Sequence, residues 1–491
     1  MWDKTAQREK GTLSRKSFLT AVGAGAAGAA LLGGPVVLSG CESEGGVEPG
    51  PMQDPNVILV IIDTLRRDHV GAYGNPWIRT PTLDAIAEEG LLFTRAHPEA
   101  MPTLPARRAI HTGMRTWPTR PPAYGWTPIP SEQRTLAEIL KGQGYHTALA
   151  TDNWHEWLPE KMNFERGFEV TRTFRGQTRD HYKDPSSVTK DEMDPYLITG
   201  EGTYLRQHLA NTGGWKSEED YFAPRVFSAA TELLQEAVGK DRPFFLVADS
   251  YDVHEPWDTP EEYVSLYDEG YKGKEPIIPN YGKDDYLTDR QLLRMRALYA
   301  AEVTMVDRWL GKFLDKAHEL EVMQNTMLVV VSDHGHLLGE HGYTGKLPYA
   351  LYPELTDIVL MVRHPEGKGA GKTSDFYAST HDLAPTILSF LGVEQPEPMD
   401  GGDLTPLLAG KDPERPRDHI TQGYSAHICC RDEHRVMFCL SDGTQAHLYD
   451  AVNDVGQTRD LAEAEPETVK RMYEEYAQKD ARGKLPNFDT G

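Results

Sequence analysis

Residues 56–75 read N-V-I-L-V-I-I-D-T-L-R-R-D-H-V-G-A-Y-G-N. From Val57 to Ile62 the side chains are apolar without a break, and most are β-branched. A strand with one wet face alternates polar and apolar residues. A continuous run predicts a strand buried on both faces of a parallel sheet, and hence an α/β fold. Asp63 follows the run, at the C-terminal end where open α/β sheets place their ligands. Taken by itself, an Asp after a strand is usually a cap or turn residue.

A second run, Met327 to Val331, leads into Ser332-Asp333-His334-Gly335. A carboxylate and an imidazole side by side here, facing Asp63 across the sheet edge, offer oxygen and nitrogen ligands to a divalent cation. Lys346, twelve residues beyond His334, can return an ammonium to the same place.

Between these runs, Met101 to Gly113 reads M-P-T-L-P-A-R-R-A-I-H-T-G. Thr103 suits a helix N-cap, Pro105 is tolerated in a first turn, and Ala106 to His111 can continue the helix. A hydroxyl at a helix start lies where backbone N–H groups favour an anion, and Arg107 one turn on carries a planar fork of donors. The same residues also fit a helix that is merely capped.

The segment T-x-P-A-R-x-x-x-H-T-G resembles the signature of the sulfatase family, in the alkaline phosphatase superfamily. Asn56 to Asn75 with Thr80 to Phe93 is similar to that family's opening, and Ser332 to Lys346 (S-D-H-G-H-L-L-G-E-H-G-Y-T-G-K) to its second metal-binding block. The resemblance implies a three-layer α/β/α sandwich around a large, mostly parallel mixed sheet. It implies a divalent cation (Ca, Mn or Zn) held by Asp63, Thr103, Asp333 and His334. Thr103 becomes the nucleophile, and Arg107 and Lys346 bind oxygens of the transferred group. His254, in the D-x-H-x-P-W of Asp252 to Trp257, becomes the substrate histidine that protonates the leaving group. Asn153 and His155 correspond to substrate contacts, and His341 stands beside the substrate or in a structural role.

Two positions depart from the family pattern. Thr64 replaces a frequent second Asp, which implies fewer carboxylates on the metal. Thr103 replaces the Cys or Ser that sulfatases oxidise, so no formylglycine is expected.

The remaining chain organises around these blocks. Helices are expected from Pro81 to Gly90, over Leu136 to Lys141, Tyr221 to Val238 and Asp382 to Gly392, and after the capping box Thr288-x-x-Gln291; strands over Leu91 to Phe93, His146 to Thr151 and Phe244 to Ala248. Residues 160–220 show little periodicity and read as an insertion shaping a pocket rim. Pro396 to Pro416 marks a boundary, beyond which His419 to Asp450 predicts a small antiparallel sheet and Glu465 to Lys479 a closing helix. The expected division is 1–40 leader, 41–54 tether, 55–395 catalytic domain, 396–491 C-terminal α+β subdomain.

The leader has a basic start (Lys4, Arg8, Lys10, Arg15, Lys16), an apolar stretch and Leu38-Ser39-Gly40-Cys41, similar to a bacterial lipobox; Ser14 to Leu19 resembles a twin-arginine signal. Export and lipid attachment at Cys41 are expected, with no other membrane contact. The net charge of −24 disfavours nucleic acid and anionic surfaces as partners and leaves a small anionic ester as the expected substrate. Oligomeric state is not legible. Cys429, Cys430 and Cys439 allow one cross-strand bridge from Cys439 to either neighbour.

Phosphoryl and sulfuryl transfer ask a protein mainly for positioning and charge neutralisation. A threonine lacks the second hydroxyl with which a formylglycine hydrate expels sulfate. The expected activity is therefore metal-dependent hydrolysis of phosphate or phosphonate mono- or diesters, with the Asp, Asp, His set resembling phosphonate monoester hydrolases. The alternatives are an arylsulfatase-like sulfuric ester hydrolase and a catalytically weak surface binding lipoprotein.

Overall fold

A computed structural model describes residues 54–119, 124–158, 161–200, 202–396, 399–481 and Leu485. The leader, Cys41 and the tether as far as residue 53 lie outside the described residues. The apolar run is the centre of an eight-stranded sheet. Its strands are β1 Asn56–Ile62, β2 Leu91–Phe93, β3 His146–Thr151, β4 Val170–Thr173, β5 Phe244–Ser250, β6 Thr326–Ser332, β7 Leu360–Arg363 and β8 Lys372–Ser374. In space the order is β8-β2-β7-β6-β1-β5-β3-β4, and β7 alone runs against its neighbours.

Alternate residues of β1 enter two separate cores. Ile58, Val60 and Ile62 pack with Val226 and Leu233 of helix Phe222–Val238 and with Leu298 and Phe313 of helix Asp289–Glu319. Val57, Leu59 and Ile61 pack with Leu136 and Leu140 of helix Leu136–Gly142 and with Leu383 and Ile387 of helix Leu383–Phe390. Two covered faces make the three-layer sandwich, and they explain why β1 shows no polar alternation. The Thr288 capping box is present, its hydroxyl accepting from the Gln291 N–H. Among the described residues no helix is long and apolar enough to cross a membrane.

The register aligns the strand ends. Ile62 lies opposite both Ser250 and Ser332, and Thr151 lies opposite Asp249. Asp152, Asp249, Asp63 and Asp333 therefore stand in a row along the C-terminal edge of β3, β5, β1 and β6.

A second sheet forms from His419–Tyr424, His427–Asp432, Arg435–Leu440 and His447–Asp450, antiparallel throughout as expected. It takes a fifth strand from far upstream: Ala100–Met101 pairs in parallel with Gly423 and Tyr424, two residues before Thr103. The closing helix is broken by a π turn at Tyr473–Ala477. No bridge joins the cysteines. Cys439 lies opposite Ile428 and Cys430 opposite Met437, and all three thiols are buried and free.

Glu99 sits in the connection to that fifth strand, fully buried, and its carboxylate accepts from the Thr116 N–H at 2.7 Å. Burial pushes its carboxyl up to about 7, against the pull of Arg115. The folded chain thus holds a proton that the unfolded chain has lost, and stability falls as pH rises from the ordinary glutamate value toward 7. Glu99→Gln is expected to flatten that slope in pH-dependent denaturant melts and to raise stability above pH 7 by on the order of 3 kcal/mol. Parallel pH profiles for the two proteins would refute it.

Candidate active site

Asp63 and Asp333 are fully buried and face each other at the ends of β1 and β6. Their orientation is set by the chain that follows β1. The Thr64 N–H donates to Asp333 Oδ1 at 3.0 Å and its hydroxyl to Asp63 Oδ1 at 3.1 Å. Thr64 holds φ at +56°, a left-handed conformation that disfavours a β-branched residue. Strain of this kind persists where surrounding structure over-determines the backbone. Here it aims one amide and one hydroxyl at the two carboxylates, so the residue standing in place of a second Asp orients the acids rather than joining them.

The Arg107 guanidinium lies between the acids. Nη1 donates to Asp63 Oδ2 at 2.9 Å and to Asp333 Oδ2 at 2.7 Å; Nε and Nη2 grip Asp249 at 2.8 and 2.6 Å. Glu156 approaches Nε at 3.4 Å. The planar fork expected on the substrate is thus spent on the protein's own carboxylates. Its physical reason is the alignment of β1, β5 and β6, which delivers three buried acids around one helix turn.

His334 completes the group. Its Nδ1 lies 2.9 Å from the Gly335 carbonyl, which assigns the hydrogen to Nδ1 and leaves a lone pair on Nε2. That Nε2 is buried with no hydrogen-bond partner, and burial pushes the imidazole down to about 3, so it is neutral. Burial and the neighbouring Asp333 raise the Asp63 carboxyl, against Arg107. Ligand atoms of Asp63, Asp333 and His334 all lie within 4.8 Å of one another. Two oxygens and an orphaned imidazole nitrogen at that spacing fit a divalent cation.

Thr103 begins helix Thr103–Thr112. The cap position belongs to Pro102, so Thr103 is the first helical residue rather than the cap, and its hydroxyl makes no capping bond. Arg107 Nη1, the nitrogen that holds Asp63 and Asp333, reaches the Thr103 carbonyl at 3.5 Å. Thr103 also lines a cavity of about 570 Å³ together with His254, Lys346, Tyr251, Tyr281 and Tyr424. Thr103 therefore lies at the cavity wall, with its backbone carbonyl beside the guanidinium that joins the two acids.

Lys346 Nζ lies 2.6 Å from His254 Nε2, and His254 Nδ1 lies 2.8 Å from the Glu255 carbonyl. Burial above all, with Lys346 adding to it, pushes His254 down to about 3. A neutral His254 donates through Nδ1 and accepts from the ammonium through Nε2, so it has no proton to give. The histidine expected as proton donor thus stands in direct contact with the Lys346 ammonium. Glu255 sits behind the pair, 3.6 Å from Lys346 Nζ, and takes the Tyr281 hydroxyl at 2.6 Å. Although burial opposes it, the positive charge of the hydrogen-bonded His254–Lys346 pair holds the Glu255 carboxyl well below the usual carboxylate range.

The weaker expectations divide. His155 lines an adjoining cavity, its ring against Trp154 and edge-on to Trp126. Asn153 is buried with both amide atoms unpartnered, and it lines neither cavity. His341 is not brought to the cavities: its ring stacks on Tyr352 at 3.5 Å and its Nε2 lies 3.4 Å from Glu354. Asp249 was missed as a site residue; it is the penultimate residue of β5, whereas Asp63 and Asp333 follow the ends of their strands. Tyr424 and Ser425 reach the Thr103 cavity from the second sheet, and no local pattern marks them.

A cation site at a sheet edge, with an alcohol and an ammonium around one cavity, defines a hydrolase of ester bonds. The sulfatase family model matches residues 55–393, and the chain belongs to that family, within the alkaline phosphatase superfamily. A model of the C-terminal part of N-sulphoglucosamine sulphohydrolase matches residues 339–487. The chain is 26% identical to an uncharacterised sulfatase of Escherichia coli, covering 84% of this chain and 83% of that one. It is 25% identical to a multifunctional alkaline phosphatase superfamily protein of Trinickia caryophylli, over 73% and 78% of the two chains. In structure it is similar to the phosphonate monoester hydrolase of Agrobacterium radiobacter, with a TM-score of 0.70 at 20% identity, covering 87% and 95%. That last likeness concerns the fold.

Proposed function

We propose that the chain hydrolyses phosphate or phosphonate esters, diesters included, through Thr103. The observation that carries the reading is a threonine at the start of helix Thr103–Thr112 that lines the cavity with Lys346 and His254, its backbone carbonyl within reach of the Arg107 nitrogen that holds both carboxylates of the cation site. Asp63, Asp333 and His334 would hold a divalent cation, which supplies positive charge to acidify a nearby hydroxyl and to neutralise the transferred group. The Thr103 oxygen bonds to phosphorus as the bond to the leaving oxygen breaks, and the hydroxyl proton passes to solvent. The leaving oxygen takes its proton from the Lys346 ammonium, which His254 and Glu255 hold in place. Water then attacks phosphorus, the bond to Thr103 breaks, and the alcohol is restored.

A sulfuric ester is the second reading, supported by the 26% identity to an arylsulfatase of Clostridium perfringens. The two separate in one assay. With Mn or Zn added, the protein is expected to cleave an aryl phosphodiester faster than the matching aryl sulfate. A dominant sulfate rate would reject phosphorus as the preferred centre.

A further inference from the structure

The cavity holding Thr103 does not end at His254. Tyr251, His254 and Tyr281 also line a second cavity of about 610 Å³, so the two spaces share a wall. With the transferred group held at Thr103 and the leaving oxygen beside Lys346, whatever that oxygen carries extends into the second space. Resting on the ester reading above, the lining of this space describes the leaving group.

Its walls are aromatic: Tyr204, Tyr251 and Tyr281 line it, and rings of this kind take flat ring systems face-on. Its charged lining residues are one anion and one cation, Glu255 and Arg179. Glu255 lies at the base, but its carboxylate is already engaged by Tyr281, Lys346 and His254. Arg179 stands at the rim, stacked over the Tyr204 ring at 5.1 Å. Its neighbours along the chain are spent on acids, Arg172 on Glu236 and Arg175 on Asp180. Arg179 alone of the three forms no ion pair among the described residues. Arg179 is exposed, and its guanidinium at the cavity mouth presents planar donors to an anion carried into that space.

We propose that the second cavity is a leaving-group subsite for a ring-bearing alcohol that carries its own anionic group, selected by Arg179. This goes past the reaction to the class of alcohol released.

The test compares aryl phosphodiesters whose leaving ring bears a para-carboxylate or para-carboxymethyl group with their uncharged amide counterparts. In the native protein kcat/KM should be about tenfold higher for the better carboxylate than for its amide, the size of one charge-assisted contact. Arg179→Met should bring that ratio close to one, and Arg179→Glu should invert it. Equal kcat/KM for acid and amide in the native protein, or a ratio untouched by Arg179→Met, overturns the subsite. If no phosphodiester is turned over, the reaction reading fails on its own. The subsite is then judged by calorimetric Kd values for 4-hydroxybenzoate and 4-hydroxybenzamide, where a preference for the acid lost in Arg179→Met sustains it and equal binding ends it.

Discussion

Thr103→Ala is expected to lower kcat by on the order of 10⁴ or more, the range seen when a nucleophile is removed from a preorganised site. The substitution deletes a hydroxyl and a methyl from the first turn of a helix whose cap is Pro102, so the helix keeps its start. Asp63, Asp333 and His334 lie on other elements, and their spacing does not depend on the Thr103 side chain. Cation binding by calorimetry should accordingly persist, weakened at most by the loss of the Thr103 oxygen as a ligand, while turnover disappears. Thr103→Ser keeps the alcohol and should retain activity within about tenfold. If Thr103→Ala retained more than a tenth of native kcat, the nucleophile would lie elsewhere, and the contact between Arg107 and the Thr103 carbonyl would be only a helix-packing detail.

The second large effect concerns stability. Arg107→Met is expected to destabilise the fold by about 3–5 kcal/mol, because removing one partner of a buried ionic group leaves the other charges uncompensated. Here the others are Asp63, Asp249 and Asp333, all fully buried. A divalent cation held by Asp63, Asp333 and His334 would neutralise the first two acids, while Asp249, which Nε and Nη2 grip, is not among its ligands. Added metal should therefore raise the Tm of Arg107→Met more than that of the native protein without restoring it fully. Arg107→Lys, which keeps the charge but loses the fork, should fall between them. A Tm for Arg107→Met equal to native in chelator would show that these acids are protonated and need no cation.

What was legible in the sequence follows from burial. β1 and β6 are covered on both faces, so their apolar runs are continuous and their ends are marked by the first acid. Asp249 lies one residue inside the end of β5, and a single Asp before a histidine-bearing loop does not announce that an arginine far upstream will claim it. Helix Thr203–Thr212 left no periodic signature because its buried face is polar. Gln207, His208 and Asn211 are inward, and Asn211 donates to the carbonyls of Gly176 and Asp180. The one-residue offset at Thr103 reflects a proline taking the cap, where the side chain of Thr had seemed the natural occupant. Tyr424 and Ser425 enter the cavity through docking of one sheet beside another, which no local periodicity encodes.

The parallel pairing of Ala100–Met101 with Gly423–Tyr424 has a consequence for how the protein matures. During synthesis the segment carrying Thr103 leaves the ribosome long before the strand that flanks it, and pairings so distant in sequence form late. A chain stopped ahead of residue 419 would retain β1 to β8 and the acids at their ends. It would lack the brace beside Thr103, and such a fragment should fold as a shell that has yet to acquire its chemistry.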